Sequence, residues 1–461
     1  MSTSNCDIQI KGGLVASSRE LRCADVFIAD GKIASVDPPG SGKTADRIID
    51  AAGKFVLPGI VECHLHPVYA DRLATLSRAA VLGGITTLIP YIGAVKAWGV
   101  EGNLWDAVQY FMDEGRKDSI IDFGLHCSLV ASDLKDLDTT IPRICESGVR
   151  SFKGFMAYRK RGMFLSDADL LRILSVLKTN DGLFCVHAEN GDLCDFLEDR
   201  FTKEGKVGPE YYLPSRPAIT EAEATFRILS FASVLDCPIY VVHVSTRDTL
   251  DVIDLFRKRN TSPVFAETCT HYLTLTNRKM LELGSLAKVS PPLREQSDVD
   301  ALWDAIKANR VDTIGADTAG HLMEKKEPIF GNVFSAPAGL PGQETMFTVT
   351  YDEGFNRRGV SLQKLVELCA ERPAKIFGLY PRKGTLEAGS DADVLIFDPG
   401  REHVVRAADR VTKSDYSMYE QRKLVGAPEL VMQRGRILLE NGELRAEPGR
   451  AQFLPAAKMI F

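Results

Sequence analysis

Two histidines stand one residue apart in the stretch FVLPGIVECHLH, residues 55–66, where an apolar and β-branched run ends. Side chains on a strand alternate with period two, so the imidazoles of His64 and His66 share a face and make half of a metal site. The same kinds of residue recur where later apolar runs end: Lys153 in SFKGF, His187 in LFCVH, His243 in IYVVH and Asp317 in TIGAD. Half of the chain's eight histidines therefore sit at strand ends, together with one carboxylate and one amine. A catalytic zinc usually takes three protein ligands and leaves a position open, so this set suits a pair of metals better than one. Two cations about 3.5 to 4 Å apart need an anionic bridge. Asp317 is the one carboxylate of the set, and an ammonium on Lys153 would be repelled by two dications. That amine must leave, lose its proton or become an anion.

The elements that must bring these residues together follow from periodicity. Apolar runs at residues 55–63, 85–90, 122–129, 149–155, 183–187, 239–244, 264–267 and 313–317 read as strands. Amphipathic segments such as 167–177 and 222–235, with apolar residues recurring at three and four, lie between most of them. Eight strands in this alternation predict a (β/α)8 barrel spanning residues 57–378, whose chemistry sits at the carboxyl ends of the strands. A doubly wound open sheet is the alternative, but no Gly-rich phosphate fingerprint follows the first strand. Strand signals with hairpin turns at Asp30-Gly31 and Asn441-Gly442 flank this region. A small β unit cannot bury both faces alone. Residues 1–56 are therefore predicted to join residues 379–461 in one β-sandwich beside the barrel. The apolar ending AQFLPAAKMIF needs a cover, which a neighbouring subunit could supply.

Composition narrows the function classes. Of the 461 residues 26% are charged and the net charge is -6, so no basic face is available to follow a nucleic-acid backbone. No apolar run approaches the roughly 18 residues of a membrane helix, and the first residues lack the pattern of a secretory signal. A cytoplasmic protein without a membrane anchor is expected. The ten cysteines are scattered with no C-x-x-C pair, and read as small buried hydrophobes.

Over nearly its whole length the chain resembles the cyclic amidohydrolases, in their dihydropyrimidinase and hydantoinase branch. The resemblance rests on PGIVECHLH, RAAVLGGITT, SFKGFMAY, VHAENGD, YVVHVS, ETCTHYLTL, SPPLR and IGAD in ordered succession, followed by RPAKIFGLYPRKGTLEAGSDADVLIFDP and SDYSMYEQRKLVGAP. It implies a barrel with a β-sandwich, two zinc ions or other divalent metals per chain, and a homotetramer reached by the C-terminal tail. It further implies that carbon dioxide carboxylates Lys153, which then bridges the metals. His64, His66 and Asp317 would hold the more buried metal, and His187 and His243 the other. A metal-bridging hydroxide would open the ring amide of a small cyclic ureide or imide, with Asp317 moving the proton. Tyr158 matches the tyrosine that hydrogen-bonds the developing oxyanion. Ser290 and Ala338 match positions whose backbone groups hold the ring. Glu189 and Asn190 read either as groups that orient the ligands or as helix-start residues.

Several positions depart from the family pattern. Glu62 stands where an aspartate is usual, Thr318 follows Asp317 where many members have histidine, Ala338 replaces an asparagine, and the connection from His66 to Arg78 is short for a substrate lid. His321 reads as entering the pocket or capping a helix. Dihydroorotase is disfavoured, because its carboxylate-gripping arginine position is Val68. An allantoinase-type hydrolase, a non-catalytic assembly protein of the same fold and a mononuclear deaminase are the rival readings.

Overall fold

A computed structural model describes residues 6–259 and 262–457. Eight parallel strand positions carry the site. They are Ile60–Glu62, Ile85–Leu88, Asp122–Phe123, Ser151–Phe155, Leu183–His187, Ile239–Val241, Val264–Cys269 and Thr313–Gly315, with Tyr91–Ile92 and His126–Ser128 extending the second and third. A parallel bridge between Leu65 and Thr318 joins the first position to the last, reinforced by His66 N–H donating to Thr318 O at 2.8 Å. The departure at Thr318 thus falls on a residue whose backbone helps close the barrel. Helices alternate with the strands as expected, Asp167–Thr179 and Ala218–Leu235 enlarging the two predicted segments. Leu170, Ile173, Leu174 and Leu177 form the buried stripe of the former, whose start is capped reciprocally by Ser166 and Asp169.

The run at residues 55–63 is not one strand. Phe55–Pro58 belongs to a sheet built from the two ends of the chain, pairing in parallel with Cys6–Ala16 and antiparallel with Val394–Val404, while Ile60–Glu62 enters the barrel. The switch occurs at Gly59, where a Cβ would lie 2.1 Å from the Thr86 hydroxyl oxygen, so glycine leaves the room that the Thr86 side chain fills. Within the terminal sheet eight strands follow one hydrogen-bonded path, from Glu443–Leu444 through Val394–Val404 and Phe55–Pro58 to Lys32–Asp37, and Ala45–Asp50 branches from it by pairing in parallel with Cys6–Ala16. Both predicted hairpins form, with Asp30-Gly31 and Asn441-Gly442 at positive φ as a type I′ turn requires. Ile10, Val26, Val56, Val394 and Met432 are among the residues of a separate small core in this sheet.

The apolar C-terminal stretch is covered by its own chain as far as it is described. Phe453 bridges Phe123, Leu454 N–H donates to Phe123 O at 2.7 Å, and Ala456 N–H donates to Gly148 O at 2.8 Å. The part of the tail for which a neighbouring subunit was expected as cover ends in residues 458–461, which lie outside the described residues.

One buried charge cluster fastens the terminal sheet to the barrel. The Lys383 ammonium, wholly buried, lies 2.8 Å from Asp122 in the third barrel strand, 2.8 Å from Asp393 and 3.0 Å from Asp391. Burial alone would lower its pKa, but Asp393, Asp122 and Asp391 outweigh it and hold the amine charged. Removing Lys383 takes from buried Asp393 its ion-pair partner, whereas Asp391 keeps Lys32 and Arg382 and Asp122 keeps Arg434. Lys383→Met is expected to destabilise the fold by about 3 kcal/mol or more, read from the denaturant midpoint; a loss under about 1 kcal/mol would show that the cluster is not a fastening.

Candidate metal centre

The carboxyl ends of strands one, four, five, six and eight deliver the predicted residues to one place. Lys153 lies within Ser151–Phe155, opposite Cys185 in the parallel register, and Phe155 opposes His187. Lys153, His66, His187, His243 and Asp317 line one cavity of about 450 Å³, with Tyr158, Ser290 and Ala338 on its walls. His64 lies immediately beneath, wholly buried. A larger space of about 1140 Å³ along the terminal sheet carries none of these residues.

The donor atoms converge. His64 Nε2 is 2.9 Å from Lys153 Nζ and 3.1 Å from Asp317 Oδ1, and His66 Nε2 is 3.4 Å from the same Asp317 oxygen. His187 Nδ1 and His243 Nε2 are 2.9 Å apart. His64, His66 and Asp317 make a compact three-donor group able to hold a metal ion. Burial lowers the pKa of all four histidines, keeping them neutral and able to offer lone pairs. Burial also lowers that of Lys153, against the attraction of Asp317 and Glu267. Asp317 goes the other way: burial would raise it, but His64, His66 and His243 hold it well below the usual carboxylate range.

Neighbouring carboxylates set the ring tautomers. Glu189 Oε2 accepts from His187 Nε2 at 2.7 Å, so Nδ1 of that ring is left as the lone-pair atom facing His243. Burial would raise the Glu189 pKa, but Arg216, 2.8 Å away, keeps it ionised. Asn190 caps the helix Gly191–Lys203 by accepting from Leu193 N–H, so the two residues divide the roles between them. On the other side Glu267 lies 2.5 Å from His64 Nδ1, leaving His64 Nε2 for the cavity. Glu62 keeps its place despite the departure: Oε1 accepts from the backbone N–H groups of His64 and Ala316, at 2.7 and 3.1 Å. Burial pushes both Glu62 and Glu267 up to about 8. A buried floor of carboxyls raised in this way, under a group of histidine nitrogens and the Asp317 carboxylate, is matched to a bound cation that would return both carboxyls to their charged form.

The residues around the cavity are held in unusual backbone. Tyr158, His243 and Asp317 all have positive φ, at 68°, 43° and 44°. Asp and His visit this region more readily than tyrosine, so Tyr158 is the strained one, and its neighbours must over-determine its position. Burial raises its hydroxyl pKa well above the ordinary value, so it stays a donor. Ser290 lines the cavity with its hydroxyl 2.5 Å from the Tyr212 hydroxyl. Ala338 presents a carbonyl that accepts from His321 Nε2 at 3.2 Å. His321 therefore neither lines the cavity nor caps a helix: it ties down the Ala338 loop, which Lys326 also holds through Gly339 O at 2.7 Å. Glu267, Arg216, Lys326 and Tyr212 are the supporting residues that spacing did not single out. Glu267 alone left a trace, as a carboxylate inside a short apolar strand.

A sequence profile described as the Amidohydrolase family matches residues 55–438. The D-hydantoinase of Ralstonia pickettii is 36% identical over 463 residues, covering 98% of this chain and 99% of the relative. The L-hydantoinase of Paenarthrobacter aurescens is 33% identical, covering 97% of this chain and 98% of its own. A solved dihydropyrimidinase from Brevibacillus agri NCHU1002 superposes with a TM-score of 0.92 at 29% identity, covering 98% of this chain and 99% of that one. With its histidines, lysine and aspartate gathered at the mouth of a parallel barrel, the chain belongs to the amidohydrolase family, in the branch of the hydantoinases and dihydropyrimidinases.

Proposed function

We propose that this protein is a zinc-dependent hydrolase that opens the amide bond of a cyclic ureide or imide, a dihydropyrimidine, hydantoin or related ring. The observation that carries the reading is the convergence of four imidazoles, the Lys153 amine and the Asp317 carboxylate at one cavity and its floor. The names of its D- and L-hydantoinase relatives support the substrate class.

His64, His66 and Asp317 would hold one zinc and His187 and His243 the other. Lys153 would stand between them: the free-base amine that burial favours is the form that adds carbon dioxide, and the resulting carbamate would give the anionic bridge two dications need. Zinc held by these residues would supply Lewis acidity, lowering the pKa of water toward neutrality and polarising the ring carbonyl. Asp317 accepts the proton of the attacking water and passes it to the ring nitrogen as the C–N bond breaks, giving an N-carbamoyl or carboxamide acid. The Tyr158 hydroxyl donates to the carbonyl oxygen as negative charge develops on it. Ser290 and the backbone around Ala338 hold the ring amide from the opposite wall.

Exposed apolar side chains on the outer helices, Leu171, Phe196, Ile219, Phe226 and Val234, support a homotetramer. Sedimentation at micromolar concentration is the check, with a monomer contradicting it. Metal analysis should find about two zinc per chain, and chelation should abolish ring opening of dihydrouracil and substituted hydantoins. Lys153→Ala is expected to lose the second metal and the activity while remaining folded by circular dichroism; full activity in that variant refutes the bridge. Tyr158→Phe should lower kcat by about 10²–10³ with little change in KM, and an unaltered kcat would remove the hydroxyl from the mechanism.

A further inference from the structure

Directly after the fourth barrel strand the chain runs Tyr158-Arg159-Lys160-Arg161-Gly162, and the three cations form a single 3-10 turn bounded by left-handed backbone at Tyr158 and Gly162. At three residues per turn, successive side chains leave such a turn in three different directions. Two of them go to the helix Gly191–Lys203, which supplies counter-charges: Arg159 lies 2.9 Å from Asp192, and Lys160 lies 2.6 Å from Asp199 and 3.2 Å from Glu198. The third goes to the cavity. Arg161 lines the same space as Lys153, His187 and Asp317, its guanidinium 5.3 Å from the centre of the Tyr158 ring.

There Arg161 finds no carboxylate within ion-pair distance among the described residues. Its polar partner is the hydroxyl of Tyr69, 3.3 Å from Nη2, on the short connection after His66. The contrast lies within one turn: two cations are neutralised by the fold, while the one aimed at the ligand space is left open. Nearby positive groups do not change this. Arg216 is taken up by Glu189, and Lys288 spends its ammonium on the carbonyls of Phe334 and Ala336. Arg161 also keeps contact with solvent, so its charge is hydrated in the free protein and is partly desolvated when a ligand fills the mouth.

We propose that Arg161 selects substrates whose ring carries an anionic exocyclic arm, the guanidinium pairing with a carboxylate on that arm while the ring amide lies against Tyr158 and the metal ligands. The assignment rests on the cyclic-amide reading above and specifies its substrate. A carboxylate on an arm suits this position because the Tyr158 ring neighbours both groups, its centre 5.3 Å from the Arg161 guanidinium and 4.7 Å from the His187 ring centre, and Arg161 itself sits at the exposed side of the cavity. A guanidinium is suited to this task by its planar fork of donors, which matches a carboxylate in two parallel hydrogen bonds.

The test compares two rings of nearly equal shape, 5-(2-carboxyethyl)hydantoin and 5-(2-carbamoylethyl)hydantoin, on the metal-loaded wild type and on Arg161→Gln. The wild type is expected to prefer the acid on the order of tenfold in kcat/KM, mostly through KM, and the preference should weaken as salt is added. Arg161→Gln should erase it while leaving turnover of the amide within about threefold. Equal turnover of both rings by the wild type, or an equal loss on both in the variant, overturns the assignment while ring opening itself stands. Failure to open either ring or dihydrouracil instead overturns the cyclic-amide reading, and this one with it.

Discussion

Everything at the mouth of this barrel depends on keeping six ionisable side chains close together and away from water without letting like charges accumulate. The molecule does this by choosing protonation states. Burial lowers the pKa of His64, His66, His187, His243 and Lys153, while His64, His66 and His243 around Asp317 hold that carboxylate ionised. Glu189, anchored by Arg216, and Glu267, against His64, then turn particular ring nitrogens toward the cavity. A set of lone pairs facing one space is a consequence of that arrangement rather than an addition to it.

Such a floor needs a rigid frame, and the frame comes from parts of the chain that carry no chemistry. The strand Ile60–Glu62 that leads to His64 follows Phe55–Pro58 of the terminal sheet with Gly59 alone between them, so that sheet anchors the chain just before the barrel begins. The Lys383 cluster spans the same seam on the other side of the third strand. Strain at Tyr158 is supported on this frame: a tyrosine at φ 68° costs of order 1–3 kcal/mol and is held by a turn whose two outer cations are clamped to the next helix.

The cavity walls come from loops, and there the chain is individual. Relatives named for opposite enantiomers are similar to it at 36% and 33% identity, so overall likeness does not set which face of a substrate is presented. The walls are lined by Tyr69 on the short connection after His66, Trp98, Arg161, and Ala338 on a loop tied down by His321 and Lys326.

The sequence by itself determined the barrel, the strand ends and the six converging residues, because each rests on local rules: alternation along a strand, a 3.6-residue repeat along a helix, and the placement of polar residues where an apolar run stops. It was also enough for the two hairpins, whose turn residues must accept positive φ. The boundary expected between residues 56 and 57 fell close to the switch between the two sheets, but its place at Gly59 was not legible, since both halves are equally apolar and the close neighbour, Thr86, lies on another part of the chain. Nor were the partners Glu267, Arg216 and Lys326, or the difference among three adjacent cations of which two find acids and one does not. Those follow from which side chains meet across elements far apart in the chain, and only the tertiary structure decides that.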